Sequence, residues 1–306
     1  MRRLAPIDVC VVLALVAMSL AACQPSASEP PVSSDSSVAN AVGVERVGVE
    51  GLPASLNLTF PSIDPVTGDV WFSVYDDSFD DQAVMRAERM DTGWGIPDTV
   101  GFSGQWGDRA PRFSPDGSSL YITSNRPREE GGEAGDMNVW MLERTDDGWG
   151  DPALVLGAVN SPEQDIHASP TDLAVWVASN RESSLGRSDI YRIGMDGEVE
   201  HIADPINDEG SQPDLWVSPD ESWMILVMTD HADGFGGDDL YLVERTGEGW
   251  AVPVNLGPEV NSEEYEYGPS LSPDGQLLYF TSHRDGESRV YRVSLASVRQ
   301  LGEDQP

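Results

Sequence analysis

Lysine is absent from this chain of 306 residues, so arginine supplies every basic side chain. The 18 basic residues stand against 53 aspartates and glutamates, which gives a formal net charge of -35. A surface of this sign repels phosphate backbones and anionic lipid headgroups, and we therefore expect no nucleic-acid partner. The acidity predicts no ligand by itself, because a high net charge also serves solubility.

Long apolar runs are missing as well. The longest one, Val9 to Ala22, has about 14 residues, whereas a membrane-spanning helix needs about 20. It follows Arg2 and Arg3, and a basic start before a short apolar run is typical of an export signal. We predict a signal peptide over residues 1–22.

Cysteine is scarce, and its placement is informative. Cys23 directly follows Leu20-Ala21-Ala22, which resembles the lipobox of bacterial lipoproteins. The resemblance implies that Cys23 becomes the first mature residue and carries a lipid that anchors the protein to the cell envelope. Gln24 in the next position implies the outer membrane, on the side facing the periplasm. Cys10 leaves with the signal, so no thiol remains for a disulfide.

Residues 23–43 are rich in serine, proline and alanine and show no apolar periodicity, which predicts a flexible tether. Beyond it, one stretch recurs along the chain. Pro269 to Arg284 reads PSLSPDGQLLYFTSHR, and Pro111 to Arg126 reads PRFSPDGSSLYITSNR. A repeat period of roughly 50 residues indicates a propeller or a solenoid. The five positions taken as equivalent are Asp64, Ser114, Ser169, Ser218 and Ser272.

Each repeat contains the sequence of four short strands. The first two strands are joined by a turn that reads Ser-Pro-Asp-Gly in its two best copies, and in three repeats a Gly-Trp turn leads from the third strand to the fourth. The third repeat has Met195-Asp196-Gly197 instead of the Gly-Trp turn. Four short strands with aromatic residues at fixed offsets predict an all-β fold, a single β-propeller of four-stranded antiparallel sheets over residues 44–302. The last repeat offers only Ser297 to Leu301 as a fourth strand, and Val44 to Leu52 could replace it and close the ring. We predict five blades, with six as the alternative if residues 44–60 begin a blade of their own.

The repeated pattern, Ser-Pro-Asp-Gly-x-x-Leu-Tyr-Phe-x-Ser-x-Arg followed by Asp-[Ile/Leu]-Tyr, resembles the TolB-like, WD-repeat-like β-propeller family of bacterial envelope proteins. The resemblance extends over about residues 55–295 and implies the propeller fold. It implies little about function, because propellers carry many activities.

Residues that break the repeat are better functional candidates than residues that recur in each blade. We expect the Asp-Gly turns to be structural, and the recurring Arg126, Arg181 and Arg284 to pair with acidic neighbours between blades. The Ser-Pro-Asp-Gly and Gly-Trp turns should lie on one face of the disc, the turn face. The more irregular connections should lie on the opposite face.

Six residues before the equivalent positions lie Leu58, Asp108, Glu163, Gln212 and Glu266. We expect the three carboxylates to converge near the channel, where oxygen ligands suit calcium as a cofactor or a polyol as a ligand. A solvated acidic rim explains the same residues without a ligand. The predicted binding residues are Asp108, Glu163, His167, Glu266 and Tyr267.

These observations favour a monomeric, envelope-anchored lipoprotein whose propeller is a binding platform that holds a protein or a cell-envelope glycan on the face with the irregular connections. The alternative is a carbohydrate-active enzyme of the glycoside hydrolase type, with paired carboxylates at the channel. No catalytic residue is assigned, because the sequence has no G-x-S-x-G or H-E-x-x-H motif.

Overall fold

The computed structural model describes residues 43–49, 51–52, 56–76, 79, 82–91, 93–129, 131–247 and 249–303. The predicted signal peptide, Cys23 and the predicted tether up to residue 42 lie outside the described residues. Within these residues the chain forms five antiparallel sheets arranged as the blades of a propeller. The predictions of an all-β fold and of five blades are confirmed.

The first strand of the chain, β1 (Glu45–Arg46), belongs to the last blade. The other strands of each blade follow in chain order from the axis of the propeller outwards. Blade 1 contains β2 (Asn57–Ile63), β3 (Val70–Tyr75), β4 (Ala83–Ala87) and β5 (Asp98–Thr99). Blade 2 contains β6 (Asp108–Phe113), β7 (Ser119–Ser124), β8 (Asn138–Thr145) and β10 (Ala153–Leu154), with the short β9 (Gly148–Trp149) extending β8 as a hairpin.

The remaining blades repeat this order. Blade 3 contains β11 (Asp165–Pro170), β12 (Ala174–Ser179), β13 (Asp189–Gly194) and β14 (Val199–His201). Blade 4 contains β15 (Ser211–Val217), β16 (Trp223–Thr229), β17 (Asp238–Thr246), β18 (Gly249–Trp250) and β19 (Val254–Asn255). Blade 5 contains β20 (Glu266–Leu271), β21 (Leu277–Ser282) and β22 (Arg289–Ser294), followed by the helix α1 (Leu295–Glu303).

The N-terminal strand closes the ring. β1 pairs with β22, with Glu45 opposite Arg292 and Arg46 opposite Tyr291. The sequence-based proposal that residues 44–52 complete the last blade is therefore confirmed. Ser297 to Leu301, the weak candidate for that strand, lies in α1 instead.

Aromatic side chains fill the space between neighbouring blades, as the repeat predicts. The rings of Trp94 and Tyr279 join blades 1 and 5 with centroids 6.1 Å apart, and those of Trp176 and Trp250 join blades 3 and 4 at 5.8 Å. The Gly-Trp turn also has a local partner. The indole rings of Trp94, Trp149 and Trp250 each stack under an arginine that ends the third strand, Arg89, Arg144 and Arg245.

A bulge shapes four of the five innermost strands at the same place. Its first residue is Phe60, Ala110, His167 or Gly268, each with φ between +51° and +66°. The bulge leaves the N–H group of this residue without a partner in its own sheet, and a side chain of the preceding blade accepts a hydrogen bond from it. The acceptors are Thr281 Oγ1 for Phe60, Ser73 Oγ for Ala110, Thr123 Oγ1 for His167 and Asp214 Oδ2 for Gly268.

Blade 4 departs from this rule. Its bulge lies two residues earlier, at Gln212 and Pro213, so Asp214 sits in regular strand geometry. The second strand of blade 4 has Val227 where blades 1, 2 and 5 have a hydroxyl, and the Asp214 carboxylate takes over the bond to Gly268. A buried carboxylate thus reaches the axis for a structural reason.

Candidate functional site

Of the three predicted carboxylates, Glu163 does not occupy the same position in its blade as Asp108 and Glu266. The backbone bond that defines the turn runs from Ser114 N to Ser119 O in blade 2 and from Thr171 N to Ala174 O in blade 3. Thr171, and not Ser169, is therefore equivalent to Ser114. The equivalent of Asp108 in blade 3 is Asp165, and the equivalence with Glu163 is wrong by two residues. Glu163 is half-buried in the bend before β11.

Asp108 and Glu266 are fully buried, and each lies beside an arginine of its own blade. Asp108 Oδ1 accepts hydrogen bonds from Arg126 Nη2 and Ser124 Oγ, both at 2.6 Å. Burial raises the pKa of both carboxyl groups, and the neighbouring arginine opposes the shift. The pairing of the recurring arginines with acids is confirmed, but it lies within a blade and not between blades.

The same unit stands in three blades. The acid of the first strand pairs with the arginine that follows the second strand, and the arginine Nε donates to a serine two residues earlier in the chain. An aromatic ring of the third strand covers the guanidinium. The members are Asp108, Ser124, Arg126 and Trp140 in blade 2, Asp165, Ser179, Arg181 and Tyr191 in blade 3, and Glu266, Ser282, Arg284 and Tyr291 in blade 5.

The other two blades replace both partners. Blade 1 has Leu58 and Asp76 at these positions, and blade 4 has Gln212 and Asp230. Because acid and arginine are present or replaced together, the unit behaves as a structural element of the blade. Ligand binding by Asp108, Glu163 or Glu266 stays a prediction.

His167 and Tyr267 do come together, on either side of the Phe60 ring at the axis. The ring of His167 lies 4.6 Å from that of Phe60, and the ring of Tyr267 lies 5.2 Å from it. Phe79 packs against the same group from the opposite face, 6.2 Å from Phe60. On that side the axis is therefore filled by aromatic rings.

His167 is neutral in this setting. Burial lowers the pKa of His167 well below its usual value, and the nearby arginines Arg109 and Arg112 act in the same direction. His167 Nδ1 lies 2.8 Å from the carbonyl oxygen of Pro213, which can only accept, so Nδ1 donates. Burial also raises the pKa of Tyr267, whose hydroxyl lies 3.2 Å from His283 Nε2.

The turn face has an open cavity on the axis, which we call the axial mouth. Its volume is about 470 Å³, within the range of small-molecule sites, and all five blades line it. The position two residues before the turn lines it in every blade. These five residues are Ser62, Arg112, Ser169, Trp216 and Ser270.

Arg112 and Trp216 break a ring that is otherwise serine. Arg112 is 3% exposed; its Nη1 donates to Pro61 O at 3.0 Å, and its Nη2 lies 4.0 Å from Asp214 Oδ1. Trp216 is half-buried, and its ring lies 5.0 Å from that of Trp223. The sequence analysis favours residues that break the repeat as functional candidates, but it did not identify Arg112 and Trp216. The reason is that the repeat of blade 3 was aligned with a shift of two residues.

Asp214 lies beneath Arg112 and is also buried. Burial raises its pKa to about 6, although Arg112 and the N–H groups of Leu215 and Gly268 favour the ionised form. Among the described residues, no three His, Cys, Asp or Glu side chains form a group that could hold a metal ion. Calcium binding stays a prediction.

Comparison with known proteins extends the fold assignment. No family model and no curated protein matches the sequence. Among solved structures, a TolB candidate from Agrobacterium tumefaciens is 19% identical, with a TM-score of 0.49 over 78% of each chain. A glycoside hydrolase is 9% identical, with a TM-score of 0.50 over 81% of this chain and 90% of its own.

A third similar structure is MPT-4, a mannose phosphorylase from Leishmania mexicana. It is 12% identical, with a TM-score of 0.48 over 84% of this chain and 89% of its own. At these identities the similarity concerns the fold. The described part of the chain is a five-bladed β-propeller.

Proposed function

We infer that this chain is a ligand-binding propeller that holds its partner in the axial mouth of the turn face. The observation that carries this proposal is the pair Arg112 and Trp216, which replace serine in two of the five equivalent positions. A blade needs neither residue there, since three blades have serine. A buried cation beside an aromatic wall is a typical anchor of a binding site.

The partner is a protein or a glycan of the cell envelope. This choice rests on the proposed lipid anchor at Cys23, which would hold the propeller at the membrane. Among the described residues, no helix is both long enough and apolar enough to cross a membrane. Labelling cells with a fatty-acid analogue tests the anchor: wild type should be labelled, and Cys23→Ala should not.

The binding test compares the two faces of the disc. Full-length tagged protein is immobilised and exposed to detergent-solubilised native envelope, with Trp216→Ala as the test variant. Phe235→Ala is the matched control, because Phe235 is an exposed aromatic residue in the β16–β17 loop of the opposite face. We expect Trp216→Ala to reduce the retained material more than about tenfold and Phe235→Ala to leave it unchanged. Equal retention by both variants would contradict the proposal.

One observation favours a second function, hydrolysis of a glycan. The buried Asp214 carboxylate lies 4.0 Å from Arg112, which lines the axial mouth, and burial raises its pKa to about 6, in the range of a general acid. Such an enzyme needs a second carboxylate at about 5 to 10 Å. Release of reducing ends from envelope glycans by wild type, abolished by Asp214→Asn, would favour the enzyme over the binding protein.

A further inference from the structure

The floor of the axial mouth presents hydrogen-bonding groups that no protein atom uses. Arg112 Nε and Nη2 and Ser270 Oγ are buried and have no hydrogen-bond partner among the described residues. Both side chains are 3% exposed, and both line the mouth. Buried donors are normally satisfied, so these atoms are suited to a ligand.

The wall of the mouth is aromatic on one side. Trp216 packs on Trp223, and the guanidinium of Arg299 from α1 covers Trp223 at 4.6 Å. The Trp216 ring is therefore held in place by two layers behind it. A fixed, half-buried indole offers a flat surface for the apolar face of a ligand.

The rim of the mouth carries acceptors. Asp172 and Asp220 belong to its lining. Hydrogen bonds from Ser222 and Ser218 lower the pKa of Asp220, so it is ionised near neutral pH. The mouth thus combines donors at the floor, a flat apolar wall and acceptors at the rim.

These features discriminate between ligand classes. An apolar ligand would leave the Arg112 and Ser270 donors unpaired. An anion would have to pass the rim carboxylates of a protein with a net charge of -35, and the Arg112 charge is already opposed by Asp214 at 4.0 Å. An uncharged sugar ring has hydroxyl groups for both donors and acceptors and a C–H face for the indole.

We propose that the axial mouth binds an uncharged sugar residue of a glycan, which stacks on Trp216 and bonds to Arg112 and Ser270. This inference rests on the proposed binding function of the mouth and names its ligand. A sugar hydroxyl accepts from Arg112 Nε or Nη2, and another exchanges a hydrogen bond with Ser270 Oγ.

The test is isothermal titration of the full chain in detergent with defined oligosaccharides. The neutral probes are cellotetraose, maltotetraose, mannotetraose and chitotetraose, and tetragalacturonate is the charged counterpart. We expect at least one neutral probe to bind and tetragalacturonate to bind more weakly. Trp216→Ala should weaken the binding more than about tenfold, and Phe235→Ala should not change it.

The Ser270→Ala variant is a second test of sugar binding, and we expect this substitution not to affect folding. Because Ser270 Oγ bonds to no protein atom, its removal should leave the melting temperature unchanged while it lowers sugar affinity roughly three- to tenfold. Unchanged affinity in Ser270→Ala and Trp216→Ala would overturn the inference. So would stronger binding of tetragalacturonate, or no binding of any neutral probe.

The outcomes separate this inference from the proposed function. Loss of envelope material by Trp216→Ala, without binding of any neutral sugar, would mean that the mouth takes a protein. The sugar inference would then fail while the binding function stands. Retention of envelope material by Trp216→Ala would contradict the binding function itself.

Discussion

Replacing Arg126 with leucine should destabilise the propeller far more than replacing both Arg126 and Asp108. In the wild type the two side chains form a 2.6 Å ion pair in which Asp108 is fully buried and the arginine side chain is 10% exposed. The single variant leaves a buried carboxylate without its cation. Removal of one partner of such a pair costs about 3 to 5 kcal/mol, whereas apolar replacement of both is often close to neutral.

The chain itself contains the double replacement in another blade. Blade 1 has Leu58 at the position of Asp108 and no arginine at the position of Arg126. We therefore expect Asp108→Leu/Arg126→Leu to lie within about 1.5 kcal/mol of wild type, a limit typical of tolerated core substitutions. The two single variants and the double variant form a cycle whose coupling energy should exceed about 2 kcal/mol.

The assay is urea unfolding at 25 °C, followed by circular dichroism, at pH 7 and at pH 5. Burial raises the folded-state pKa of Asp108, and loss of Arg126 would raise it further. A raised carboxyl pKa lowers stability as pH rises from the unfolded-state pKa, about 4, to the folded-state pKa, so Arg126→Leu should lose less stability at pH 5 than at pH 7. Wild-type stability in Arg126→Leu at both pH values would refute the structural role and leave Asp108 available for a ligand.

Three further perturbations test the blade architecture. Glu221 has φ +55° where the turns of blades 2 and 5 have glycine, and its carboxylate accepts a hydrogen bond from Trp176 Nε1 at 2.9 Å. Glu221→Gly should lose about 1 to 3 kcal/mol in urea unfolding although the backbone strain is relieved, and a gain in stability would contradict this. Thr123→Val removes the acceptor of the His167 N–H and should cost a similar amount, whereas a neutral result would show that the bulge needs no partner. The pKa of Asp214 is raised to about 6, so ionisation of this group lowers the stability of the protein as pH rises from about 4 to 6. In Asp214→Asn the loss of stability over this pH range should be smaller by about 2 to 3 kcal/mol. An unchanged loss would mean that other groups cause the pH dependence.

The sequence predicts the blades well because each blade repeats the same local chemistry. The Asp-Gly turns appear as expected: Asp116 Oδ1 accepts from Ser118 N at 2.9 Å, and Gly117 has φ +70°. Strand alternation and turn residues are encoded locally, so their positions can be read from one segment at a time. Closure by β1 follows from the missing outer strand of the last blade.

The site is harder to predict because it depends on the register of the blades at the axis. A two-residue error in the alignment of blade 3 made Glu163 the apparent equivalent of Asp108. The same error kept the five equivalent positions that include Arg112 and Trp216 from being recognised. The turn of blade 3 is shorter, since Thr171 bonds to Ala174, whereas Ser114 bonds to Ser119. Ser169 matches the turn serines Ser114, Ser218 and Ser272 in residue type, whereas the true equivalent in blade 3 is Thr171, so residue type favoured the wrong alignment.

The central claim is that the axial mouth of the turn face holds the partner. Photo-crosslinking in intact cells tests it directly, with a photoreactive amino acid placed at Asp220 on the rim of the mouth or at Phe235 on the opposite face. We expect a specific adduct from position 220 that Trp216→Ala removes, and none from position 235. A specific adduct from position 235 alone would contradict the account and move the site to the opposite face.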